Sequence, residues 1–74
     1  MNDITSTLDS LLTDRCLVSL GNIDTFTEEA IEVACQFLGD CGVPFTYEYI
    51  WDDNIVVFSW IEYNKPQIFM FKVR

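Results

Sequence analysis

The chain has no histidine. That excludes His-based triads, histidine metal sites and the usual general base at neutral pH. Basic residues are scarce too. Arg15, Lys65, Lys72 and Arg74 stand against twelve acids, leaving a net charge of −8. Binding DNA or RNA by counterion release takes several clustered Lys and Arg side chains. Only Lys72 and Arg74 come close together, so neither direct nucleic-acid binding nor attraction to an anionic membrane is expected. Glycine is limited to Gly21, Gly39 and Gly42, each isolated, so no glycine-rich loop cradles a phosphate. No apolar run, Ile55-Val56-Val57-Phe58 among them, approaches the length of a membrane span. Met1-Asn2-Asp3 carries no positive charge, and no signal peptide is expected.

Cysteine is odd in number, at Cys16, Cys35 and Cys41. Without a secretory signal these read as reduced thiols, in the cytoplasm or in a host's cytoplasm if a virus encodes the chain. Five residues separate Cys35 from Cys41, and Cys16 is remote. That is poor spacing for zinc without histidine, and no metal or cofactor is expected. The simpler reading is three small buried hydrophobes. Asp52-Asp53 lacks the spacing of a calcium loop and has the composition of a hairpin turn. No catalytic group is assigned, and the chain is not expected to be an enzyme.

What is present is apolar area. Seventy-four residues form one domain, residues 1–74, with 50% hydrophobic and 15% aromatic content. A chain this short buries only about 60% of its unfolded surface, so its core is worth roughly 3–5 kcal/mol.

Two helices are expected. Ile4, Leu8, Leu11 and Leu12 make a narrow stripe from Asp3 to Asp14, with Asp3 or Thr5 as cap and Arg15 as stop. Thr25-Phe26-Thr27-Glu28 fits a capping box opening the second helix, and Gly39 or Gly42 ends it. Its apolar arc holds Phe26, Ala30, Ile31, Val33, Ala34, Cys35, Phe37 and Leu38. The opposite arc holds Glu28, Glu29, Glu32 and Asp40 with Gln36, and no base among them. Solvated helix faces usually mix signs, because like charges four residues apart repel. Between the helices, Cys16-Leu17-Val18-Ser19-Leu20 suits either a fourth strand or a loose helical extension.

From Val43-Pro44 onward the pattern is a three-stranded meander. Turns at Asp53-Asn54 and Lys65-Pro66 pair Trp51 with Val56, Tyr49 with Phe58, and Trp60 with Phe71. Alternate side chains share a face. One face then collects eight of the eleven aromatic residues: Phe45, Tyr47, Tyr49, Trp51, Phe58, Trp60, Phe69 and Phe71. Together they carry more than about 1,000 Å², too much for an exposed patch, so both helices should cover that face. The other face holds Ile50, Ile55, Val57, Ile61, Ile68 and Met70 among polar residues. Glu48 and Glu62 fall on opposite faces and do not cooperate. The fold class is α+β, with two helices on one face of a three- or four-stranded antiparallel sheet in the order α-β-α-β-β-β.

The leading functional expectation is a non-catalytic acidic protein that docks on and blocks a basic, nucleic-acid-binding surface of a partner protein. Glu28, Glu29, Glu32, Asp40, Asp52 and Asp53 are its contact residues. Helix length limits the mimicry. Glu28 to Asp40 spans about 18 Å of helix, over which duplex DNA places roughly ten charges, so four acids compete at a basic patch rather than copy a duplex. Small, acidic, inert domains of this character include phage-encoded inhibitors of host defence, such as anti-CRISPR and anti-restriction proteins. That is an analogy of type, carried by no motif. The alternative is an assembly subunit, homodimeric or within a larger complex. Ile50, Ile55, Val57, Ile61, Ile68 and Met70 form its interface, and the charge serves solubility.

Overall fold

The computed structural model describes residues 3–20 and 23–73. Its elements are α1 (Ile4–Cys16), β1 (Leu17–Leu20), β2 (Ile23–Phe26), α2 (Glu29–Asp40), β3 (Phe45–Ile50), β4 (Ile55–Glu62) and β5 (Lys65–Lys72). β3, β4 and β5 form an antiparallel meander, and β1 and β2 form a separate hairpin. A parallel bridge between Phe26 and Val73 ties the hairpin to the end of the meander. The α+β class holds. The element order gains one strand, because Leu17–Leu20 pairs with Ile23–Phe26 rather than joining the meander. Gly21 and Asn22, whose composition reads as a stop after Leu20, lie outside the described residues.

α1 starts where expected. Asp3 caps it, its Oδ1 accepting from the Ser6 amide at 2.7 Å. Two hydrogen bonds from Ser6, the backbone one foremost, hold the Asp3 carboxyl below its ordinary value of 3.8. The helix runs past Arg15 to Cys16, extending the buried stripe of Leu8, Leu12 and Cys16 by one more step of four. Arg15 does not stop it, because the residue stays exposed at the seam with α2 and suits the negative end of the helix dipole.

The expected capping box of α2 does not form. Thr25 and Phe26 belong to β2, paired with Val18 and Leu17, and the Thr25 hydroxyl donates to the Val18 carbonyl at 3.4 Å. The ladder claims the residues that the cap would need. Glu28 precedes the helix with no side-chain cap. Phe26 instead meets Phe71 edge-on at 5.4 Å. Gly42, at φ 75°, supplies the left-handed turn after α2, its amide donating to the Gly39 carbonyl.

The meander keeps its expected faces in a different register. Phe45 pairs with Trp60, Tyr47 with Phe58 and Tyr49 with Val56, a shift of two residues. Phe58 pairs with Phe69 and Val56 with Phe71, a shift of four. Both shifts are even, so no side chain changes face. The first loop takes Trp51–Asn54 rather than two residues, with Asn54 at φ 55°. The second hairpin closes on Tyr63-Asn64, at φ 54° and 63°, the paired left-handed conformations of a type I′ turn. Lys65-Pro66, expected as that turn, opens β5, where an outer strand of the meander tolerates proline.

Both helices lie on the aromatic face. The core joins Leu8, Leu12 and Cys16 to Ala30, Val33, Ala34 and Leu38, and these to Val56, Phe58, Trp60, Phe71 and Val73. Coverage centres on β4 and the end of β5. Aromatics on the β3 side lie toward the margin: Tyr47 on β3 is 51% exposed, and Trp51, in the loop that follows it, 75%. They stack instead of being buried, Tyr47 on Phe58 at 5.2 Å and Trp51 on Tyr49 at 4.3 Å. Among the described residues, no helix is long and apolar enough to cross a membrane.

Candidate docking surfaces

Two exposed surfaces stand out on the folded chain, one charged and one apolar. The charged one begins on α2. Its buried arc of Ala30, Val33, Ala34 and Leu38 fixes the helix against the sheet, which turns Glu28, Glu29, Glu32, Gln36 and Asp40 to solvent. Glu28 and Glu29 stand at the helix N-terminus, where the dipole favours negative charge.

Asp52 and Asp53 are exposed in the β3–β4 loop. The Phe26–Val73 bridge brings the start of α2 to the end of β5, and the Val73 amide donates to the Asn54 carbonyl at 2.8 Å. The Glu28-Glu29 pair and the Asp52-Asp53 pair therefore sit at one end of the meander. Asp40 is set apart from them at the far end of α2. It lines a small notch with Leu11, Gln36, Phe37 and Arg15.

The second surface is the face of the meander that neither helix covers. It has four cross-strand rows: Ile61 and Pro66; Thr46, Ser59 and Ile68; Glu48, Val57 and Met70; Ile50, Ile55 and Lys72. Ile61, Ile68 and Met70 are 54%, 66% and 65% exposed. Ile50 is exposed to a lesser degree, and Ile55 and Val57 are half-buried by their neighbours. At one end a hollow of about 380 Å³ opens over Ser59, flanked by Thr46 and Ile68, with Pro44, Ile61 and Pro66 around it.

Glu48 points to this open face and Glu62 to the helices, as the alternation predicts. The role of Glu62 was not legible in the sequence. It is buried, and its two carboxylate oxygens accept from the Trp60 indole at 3.1 Å and from the Ile4 amide at 3.2 Å. It thus fastens the first turn of α1 to β4. Alternation puts Glu62 at the rim of the aromatic face, but nothing in the sequence says that the start of α1 lies there.

The thiols are all free, with Cys16 buried, Cys35 half-buried and Cys41 exposed. Burial, and then the nearby Glu32 carboxylate, push the Cys35 thiol up, away from the reactive thiolate. Among the described residues, no three Cys, Asp or Glu side chains gather to hold a metal ion. Comparison with protein-family models, with curated proteins and with solved structures found no match.

Proposed function

We propose that this chain is a non-catalytic acidic binding protein that docks on a basic surface of a partner protein and blocks it. The surface it covers is one that otherwise holds nucleic acid, and the mode is that of a phage-type inhibitor of a host defence or nucleic-acid enzyme. The observation that carries the reading is the exposed cluster Glu28, Glu29 and Glu32, at the same end of the meander as Asp52 and Asp53. Its carboxylates stand in for phosphates. A net charge of −8 adds long-range attraction to a basic partner.

The test is capture from a bacterial lysate with the tagged chain, eluted along a salt gradient, beside a Glu29→Lys/Glu32→Lys variant. The expected result is a basic nucleic-acid-handling protein released by salt and lost in the variant. Equal retention of every partner by the variant would contradict the reading.

A further inference from the structure

We infer that the open face of β3, β4 and β5 is the contact surface of a homodimer, in which two copies pack sheet on sheet about a two-fold axis parallel to the strands and over β4. Such an axis lays β3 of each copy over β5 of the other and keeps the four rows in step. Two independent features of the face match under this operation and make it self-complementary, as an isologous interface must be.

The first is charge. Among the described residues the face holds one acid, Glu48 on β3, and one base, Lys72 on β5, in adjacent rows. Within one copy the whole width of the meander separates them. The two-fold operation brings Glu48 beside Lys72 of the partner subunit, and does so twice. The second is relief. The row Thr46, Ser59 and Ile68 is low on β3 and β4 and high on β5, and the hollow of about 380 Å³ opens above its low part. The same operation sets Ile68 of the partner subunit over Thr46, filling the hollow. Met70, equally prominent, covers the stem of the partner's Glu48.

Area sets the strength. β4 and β5 are eight residues long, so the face is about 27 Å by 14 Å, a footprint of about 400 Å² per copy before side-chain relief is counted. Specific interfaces start near about 1,000 Å² in total. The dimer is therefore reversible, with monomer present at low concentration. It leaves both α2 helices on its outer surfaces. The acidic face is then displayed twice, whether or not the blocking role holds.

Sedimentation equilibrium of the untagged chain from about 1 μM to 1 mM tests this, with circular dichroism to verify folding. The expected result is a monomer–dimer equilibrium. Ile68→Asp, at an exposed position, abolishes it. Glu48→Lys and Lys72→Glu each raise the dissociation constant about tenfold by turning two attractive pairs into repulsive ones. The double swap Glu48→Lys/Lys72→Glu restores it. A chain monomeric at 1 mM, a dimer that survives Ile68→Asp, or single losses not restored by the swap would each overturn the inference. Association through the free edge of β3 gives the second outcome, and a face reserved for another protein gives the first.

Discussion

Glu62 shows how a single side chain orders this small fold. A carboxylate that leaves water must find donors, and it finds two, one on β4 and one at the positive end of α1. Glu62→Ala removes both acceptors and leaves two donors without partners. An orphaned donor costs about 1–3 kcal/mol, so two give an expected loss of about 2–6 kcal/mol in urea unfolding. That is much of what a core of this size supplies. Glu62→Gln keeps one acceptor and should lose about half as much. Equal midpoints for Glu62→Ala and the native chain would show that the contact is idle.

Asp3 is the second residue with a readable consequence. Its folded pKa lies below the ordinary 3.8, so it stabilises the fold fully above that pH. The contribution fades as pH falls through the lower, folded value. Asn is as good a cap as Asp but does not titrate. Asp3→Asn should therefore flatten the acid limb of stability against pH while leaving the neutral value nearly unchanged. An acid limb as steep as that of the native chain would contradict the assignment.

At the scale of elements, the second hairpin carries a cost. Tyr63 is exposed and sits at φ 54°, where a bulky residue pays about 1–2 kcal/mol. Type I′ turns favour Asn and Gly. Tyr63→Asn is expected to raise stability by about 0.5–1 kcal/mol with the register unchanged, as read by the unfolding midpoint. A lower midpoint would mean that the Tyr63 ring contributes more than its backbone costs.

The elements also show what a sequence can and cannot tell. Strand alternation assigns every meander side chain to its face, because a pleated strand has a period of two. Register is harder. Asp53-Asn54 and Lys65-Pro66 have the composition of turns, but Asn54 and Asn64 take the left-handed positions and drag the pairing by two and four residues. Thr25-Phe26-Thr27-Glu28 is ambiguous for a related reason. A local capping motif competes with a strand partner seven to nine residues away, and the ladder to Leu17 and Val18 wins. The acidic arc of α2 is legible because its apolar arc is. Arg15, on α1, lines the same notch as Asp40 of α2, and only tertiary packing brings the two elements together there.

At the scale of the whole molecule, charge and apolar area are divided between two sides. The helices cover one face of the meander and with their caps carry most of the acids, and the other face keeps Ile50, Ile61, Ile68 and Met70 in the open. Asp40 lies at the far end of α2 from Glu28, Glu29 and the Asp52-Asp53 loop. Asp40→Lys should weaken partner capture much less than Glu29→Lys, when the salt needed for elution is compared. Equal losses would mean that the whole helix length makes contact.

The measurement that bears most directly on the blocking role is competition. The captured partner is mixed with labelled nucleic acid, and the chain is titrated in at two salt concentrations. The account predicts that the chain displaces the nucleic acid, less effectively at high salt, and that the Glu29→Lys/Glu32→Lys variant fails to do so. A partner that holds chain and nucleic acid together, or displacement that the variant achieves equally well, would contradict it.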